Sequence, residues 1–154
     1  MAFVRASTIR GRRCNISGIN TARVVIGGIV AGVVINVSEY ILNMFALGPD
    51  MEATMMRLNL PPVAGQAIGV FVALGFALGI VMTWLYAALR PRYGPGPMTA
   101  LCAGAAGWFL AYVYSSISIA VMGVFPTRMM VIAGVWGLAE LLAASVAGAY
   151  LYRE

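Results

Sequence analysis

Two glutamates, Glu39 and Glu140, stand inside long apolar stretches of the sequence. A carboxyl near a bilayer centre costs about 2.5–3.5 kcal/mol on insertion scales, so such a group normally faces protein or water and marks a functional position by default. Asn36, Glu39 and Asn43 follow at i, i+3 and i+7, which aligns them along one stripe of a helix. Tyr112, Tyr114, Ser115, Ser116 and Ser118 bring hydroxyls into a separate apolar stretch. With a helical rise of about 1.5 Å per residue, Glu39 falls about 12 Å and Glu140 about 16 Å below the same membrane face, with Tyr114 at a similar level. The expected polar cluster is therefore Asn36, Glu39, Asn43, Tyr114, Ser118 and Glu140.

What such a cluster does depends on its counter-charges. The chain has no histidine and no lysine; all of its 10 basic residues are arginine, and none is expected at that depth. Two carboxyls without a cation are expected to hold or share a proton. One reading is a proton or cation site in a small transporter or channel. The plainer reading is a pair of acids that hydrogen-bond helices together or meet an arginine of a partner.

Other chemistry lacks its parts. Met44, Met51, Met55, Met56, Met122, Met129 and Met130 gather toward one membrane face. Thioethers can select Cu(I), but methionine is also an adaptable apolar filler, and with no histidine or cysteine beside them no metal is expected. Cys14 and Cys102 form no Cys-x-x-Cys pair, and without imidazole there is no common zinc or haem site. No Gly-x-Ser-x-Gly elbow, P-loop or dinucleotide fingerprint is present, so neither a cofactor nor an enzymatic activity is expected.

The elements that must position the polar residues follow from hydropathy. The chain has 154 residues, 62% of them hydrophobic and 10% charged, against about half and a quarter in soluble domains. Four apolar runs, 24–47, 63–89, 98–125 and 129–151, each reach the roughly 20 residues that cross a bilayer as a helix. Pro49, Pro61-Pro62, Pro91, the Gly94-Pro95-Gly96-Pro97 run and Pro126 mark their ends. No run alternates with the period of a barrel strand. The pattern predicts an all-α integral membrane protein: a four-transmembrane-helix bundle (24–152) preceded by a basic arm (1–23). Between the first two spans, Met51, Met55 and Leu58 at i, i+4 and i+7 predict a short amphipathic helix lying flat at the outer interface. The first run is too long for the core of a cleaved signal peptide, so it is read as a retained span.

Eight arginines (Arg5, Arg10, Arg12, Arg13, Arg23, Arg90, Arg92 and Arg153) fall on one side of these spans and two, Arg57 and Arg128, on the other. The positive-inside rule then puts both termini in the cytoplasm and the chain in the inner (plasma) membrane. Arg10, Arg12, Arg13, Arg23, Arg90 and Arg92 flank apolar segments instead of forming one solvated stripe, which suits lipid headgroups or a partner protein and not nucleic acid.

Small residues four apart recur in every span: Gly28/Gly32, Gly65/Gly69, Gly75/Gly79, Ala103/Gly107 and Ala144/Gly148. They let helix backbones approach closely. The second span carries two such pairs at different angles, which makes it the candidate for contact with another subunit. A weak echo at an offset of 75 residues, Ala31-Gly32 with Ala106-Gly107 and Gly48 with Gly123, hints at a duplicated hairpin. The combined expectation is a structural or accessory subunit of a membrane complex, or a homo-oligomer, with no cofactor.

Overall fold

Proline and glycine punctuate the apolar runs, and helices fill the spaces between. The computed structural model describes residues 18–152. Arg5, Arg10, Arg12, Arg13, Cys14 and Arg153 lie outside the described residues. Six α-helices, α1 (Thr21–Leu42), α2 (Gly48–Arg57), α3 (Gly65–Tyr93), α4 (Pro97–Trp108), α5 (Ser115–Val121) and α6 (Thr127–Leu151), account for most of that length, and no strand occurs among the described residues. Two π-helical segments, Asn43–Leu47 and Phe109–Tyr114, join α1 to α2 and α4 to α5 without a break. The result is four helices long and apolar enough to cross a membrane: Thr21–Arg57, Gly65–Tyr93, Pro97–Val121 and Thr127–Leu151.

Local chemistry explains most boundaries. Asn20 caps α1, its Oδ1 accepting from the Arg23 N–H at 3.1 Å, so the helix begins inside the segment expected to be an arm. Pro49 does not end the first helix. Its ring would crowd the carbonyl of Phe45 four residues back, and the widened π turn over Asn43–Leu47 lies at that place. Pro91 falls in the last turn of α3, where only one intrahelical hydrogen bond is forgone, and the helix runs on to Tyr93. The third span stops at Val121, short of the expected Phe125, because Gly123 turns the chain at φ +66°.

The expected amphipathic helix also differs from its sequence reading. A helix is there, but it continues α1, and Met51 packs on Leu42, Leu47 and Met129 of the bundle. Within α2 itself only Thr54 is buried, while Leu58, just past its end, is exposed. The π segment adds a residue to the turn, which carries the buried positions from Leu42 to Leu47, five residues on.

Packing is up-down-up-down. Helix α1 lies against α3 and α6, α6 also lies against α4, and α3 touches both α4 and α6. Glycines set the distances. A Cβ on Gly79 would meet the Gly28 carbonyl oxygen at 2.5 Å and the Gly32 Cα at 2.8 Å, and one on Gly32 would meet the Phe76 Cα at 2.8 Å. One on Gly27 would lie 2.6 Å from the Gly148 carbonyl oxygen, at a junction where the Thr83 side chain fills the remaining space. Gly107 accommodates Met82 in the same way, and Gly75 accommodates Asn36.

One end of the bundle is tied by polar contacts. The Asn20 N–H donates to the Tyr152 hydroxyl at 3.2 Å, and the Arg90 guanidinium lies over the Tyr152 ring at 5.6 Å. Tyr86 meets Tyr152 edge-to-face at 6.0 Å. At the opposite end Arg57 donates to the Val124 carbonyl, and Arg128 pairs with Asp50 at 3.8 Å. The Arg128 side chain is 75% exposed, and an exposed pair of this kind contributes little.

Candidate functional site

Glu140 lies halfway along α6 on the face that packs inward, with only 4% of its surface accessible. Glu39 lies near the end of α1, half-buried. Between them stands Tyr112, from the π segment that follows α4. Its hydroxyl is 2.5 Å from Glu39 Oε1 and 2.9 Å from Glu140 Oε1. One phenol thus joins two acids from two other helices.

The surroundings treat the two carboxyls differently. Asn43 Nδ2 donates to Glu39 Oε2 at 3.1 Å and to the Glu39 carbonyl at 2.8 Å. Glu140 Oε2, by contrast, is buried without a hydrogen-bond partner. The Ser38 hydroxyl stands beside the Glu140 carboxyl and accepts from Trp136 Nε1 at 2.8 Å. Among the described residues no arginine reaches this level: Arg23, Arg90 and Arg92 belong to one end of the bundle, Arg57 and Arg128 to the other. No group of three or more His, Cys, Asp or Glu able to hold a metal occurs among the described residues.

Tyr112 is positioned by its own helix and by a gap in α6. On α4 the inward residues are Thr99, Ala100, Ala103, Gly104 and Gly107. Continued with α-helical spacing, that face leads to Tyr114 and Ser118. The π turn inserts one residue, rotates the following chain by about 100° relative to an α-helix, and brings Tyr112, five after Gly107, into the bundle. Room for the ring comes from Gly137, where a Cβ would fall 2.6 Å from three of its carbons. Trp108, one turn earlier, donates from Nε1 to the Gly134 carbonyl at 2.7 Å and fastens the same segment to α6.

The sequence-predicted cluster therefore divides. Glu39, Glu140 and Asn43 come together. Asn36 turns away, donating to the Gly32 carbonyl at 2.8 Å and packing against Gly75 between α1 and α3. Tyr114 is 65% exposed, and Ser118 donates to the Tyr114 carbonyl of its own helix. Tyr112, Ser38, Trp136 and Gly137 were not in the predicted set. Tyr112 was visible as a hydroxyl in the right run, but nothing in the sequence announces a π turn.

Two open grooves lie on the apolar surface. One, of about 830 Å³, is lined by Val30, Leu101, Leu142, Val146 and Tyr150 among others. The second, of about 400 Å³, runs along Val33, Val37 and Ile41, with Ser38 and Trp136 in its wall. Neither is lined by Glu39, Glu140 or Tyr112. Of the packing glycines, Gly28, Gly32, Gly75, Gly79, Gly107 and Gly148 sit at helix contacts, as do Gly27 and Gly104, while Gly65 and Gly69 have no atom of the described residues within 4 Å of where a Cβ would stand.

Comparison of the chain with protein families, with curated proteins and with solved structures finds no match.

Proposed function

We propose that this chain is a membrane-embedded subunit, assembling with copies of itself or with partner proteins in the inner (plasma) membrane. The carrying observation is the first third of α3. From Gly65 to Leu74 only Ala67 is half-buried, and Ile68, Val70, Phe71 and Leu74 are all more than half exposed. A glycine inside a helix costs about 0.8–1.0 kcal/mol relative to alanine. At Gly75 and Gly79 the close approach of α1 offsets that cost; at Gly69 nothing among the described residues does. A small-residue face that lets another backbone approach fits an external helix at this place.

Orientation follows from charge. The arginine bias supports a cytoplasmic location for both chain ends, with Arg23, Arg90 and Arg92 at the headgroups and α2 near the outer interface. The reading includes no catalytic step, no cofactor and no nucleic acid.

Mass in mild detergent tests it. A species larger than one 16.3 kDa chain, either a multiple of it or a complex with a defined protein, is expected, and Gly69→Leu should reduce that assembly. A monodisperse monomer at every concentration, with no co-purifying partner, overturns it.

A second reading is favoured by one specific observation, the Glu39–Tyr112–Glu140 bridge. It is a small proton- or cation-coupled carrier or channel that uses the two carboxyls. Its test is pH-driven flux in proteoliposomes, comparing wild type with Glu39→Gln and Glu140→Gln. Absent flux, or flux indifferent to both changes, removes it.

A further inference from the structure

The bridge carries a proton count. A phenol has one proton to give, yet Tyr112 Oη lies at hydrogen-bond distance from a carboxyl oxygen on each side. If both acids were ionised, one of these contacts would set the phenol's lone pairs against a carboxylate at 2.9 Å or less with no hydrogen between them. Both contacts are hydrogen bonds only when one acid is protonated and donates to Oη while Oη donates to the other. The environment selects which. Glu39 is only partly buried and receives the Asn43 amide, which favours the carboxylate. Glu140 is 4% exposed, with the Ser38 hydroxyl beside it and no amide donor, so burial favours the neutral acid.

The geometry points to a one-proton relay, in which the Tyr112 phenol passes a single labile proton between Glu140 and Glu39. In the resting arrangement Glu140 is the acid and Glu39 the carboxylate. When the Glu140 proton moves to Tyr112 Oη, the proton already on Oη moves to Glu39 Oε1. One O–H bond forms and one breaks at the phenol, no electrons are exchanged, and the site keeps a net charge of −1. The outcome is a proton moved from α6 to α1 without any side chain crossing the bundle.

The groups facing the relay are few. Helix α1 contributes Glu39, Ser38 and, at the start of the π segment, Asn43; α6 contributes Glu140 and Trp136; the third span contributes Tyr112. The titratable groups of α3 (Tyr86, Arg90, Arg92 and Tyr93) all belong to its far end. The relay rests on the membrane reading of the four helices and deepens the carrier reading, but it holds as a proton site whether or not anything is transported.

Infrared spectroscopy of the full chain in detergent or nanodiscs at neutral pH separates a protonated carboxyl from carboxylates by its C=O stretch. Wild type should show one such band. Glu140→Gln should abolish it, since the glutamine amide can donate to Tyr112 in its place, and Glu39→Gln should keep it. Tyr112→Phe should keep the band but shift it to higher frequency, because the acid loses its acceptor. A wild type without the band, a band that survives Glu140→Gln, or an unchanged frequency in Tyr112→Phe overturns the relay. Should one glutamine variant fail to fold, as judged by circular dichroism, the wild-type and Tyr112→Phe spectra still decide it. A band without flux keeps the relay and removes the carrier; flux without a band removes the relay.

Discussion

Replacing Gly79 by alanine tests the idea that close backbone approach holds this bundle together. The new Cβ would meet the Gly28 carbonyl oxygen at 2.5 Å and the Gly32 Cα at 2.8 Å, both backbone atoms of α1 that cannot rotate away. Ordinary carbon contacts lie at about 3.5–4.0 Å, so α1 and α3 must separate locally by about 1 Å. A gap of about 0.5–1 Å forfeits a quarter to a half of each contact's attraction of about 0.1–0.2 kcal/mol. Over some 40 contacts, about the number a buried leucine makes, the loss is about 1–4 kcal/mol. Lipid gives no compensating hydrophobic drive between helices. The control is Gly69→Ala, on the same helix with nothing within 4 Å; within a single chain it should be neutral or slightly stabilising. Reversible unfolding in mixed micelles, followed by circular dichroism, measures both. If Gly79→Ala is as stable as Gly69→Ala, the α1–α3 contact is not what the glycines serve, and the packing argument fails.

Three further outcomes follow from the same contacts. Gly137→Ala places a Cβ 2.6 Å from the Tyr112 ring and should displace the phenol from both acids at a cost of about 1–3 kcal/mol, read as lost stability and as a changed tyrosine ultraviolet spectrum. Ser145→Ala removes the buried bond from Ser145 Oγ to the Ala100 carbonyl at 2.7 Å; bonds of this kind in membrane bundles average about 0.6 kcal/mol, so a small loss in the same unfolding assay is expected. Arg90→Ala removes the cation over the ring of the buried Tyr152 at 5.6 Å, worth about 1–2 kcal/mol at a partly desolvated site, and hydrogen exchange at Asn20 and Tyr152 should rise.

The four long helices were legible because hydropathy and length decide them, and neither depends on tertiary detail. Their ends were less so. Pro49 and Pro91 look like stops, but a π turn takes up the first and the last helical turn tolerates the second. Glu39 and Glu140 were legible because a carboxyl in an apolar run is conspicuous, and Asn43 because it shares the stripe of Glu39. Tyr114 and Ser118 were chosen over Tyr112 by depth along the helix axis, which does not say which way a side chain faces; the π turn sets that direction, and it brings Tyr112 inward. Asn36 shares the stripe but meets Gly75 of a different neighbour, which no single-helix pattern reveals. Gly137 belongs to none of the small-residue pairs read from the sequence; its partner is an aromatic ring, and only the three-dimensional pairing shows it.

The wide turn over Phe109–Tyr114 gives this protein an unusual tolerance of one change of length. Losing a single residue between Phe109 and Ala111 would let the third span close into one regular helix, with hydropathy almost unaltered. The turn already absorbs one residue, so Ser115 to Val121 would keep their direction about the axis and the phenol would still face the two acids. Closing the turn without losing a residue is the damaging change: the same stretch would then swing about 100° around the axis and carry the phenol away from both carboxyls. A homologue one residue shorter here would present the same faces, and the gap in its alignment belongs inside this turn.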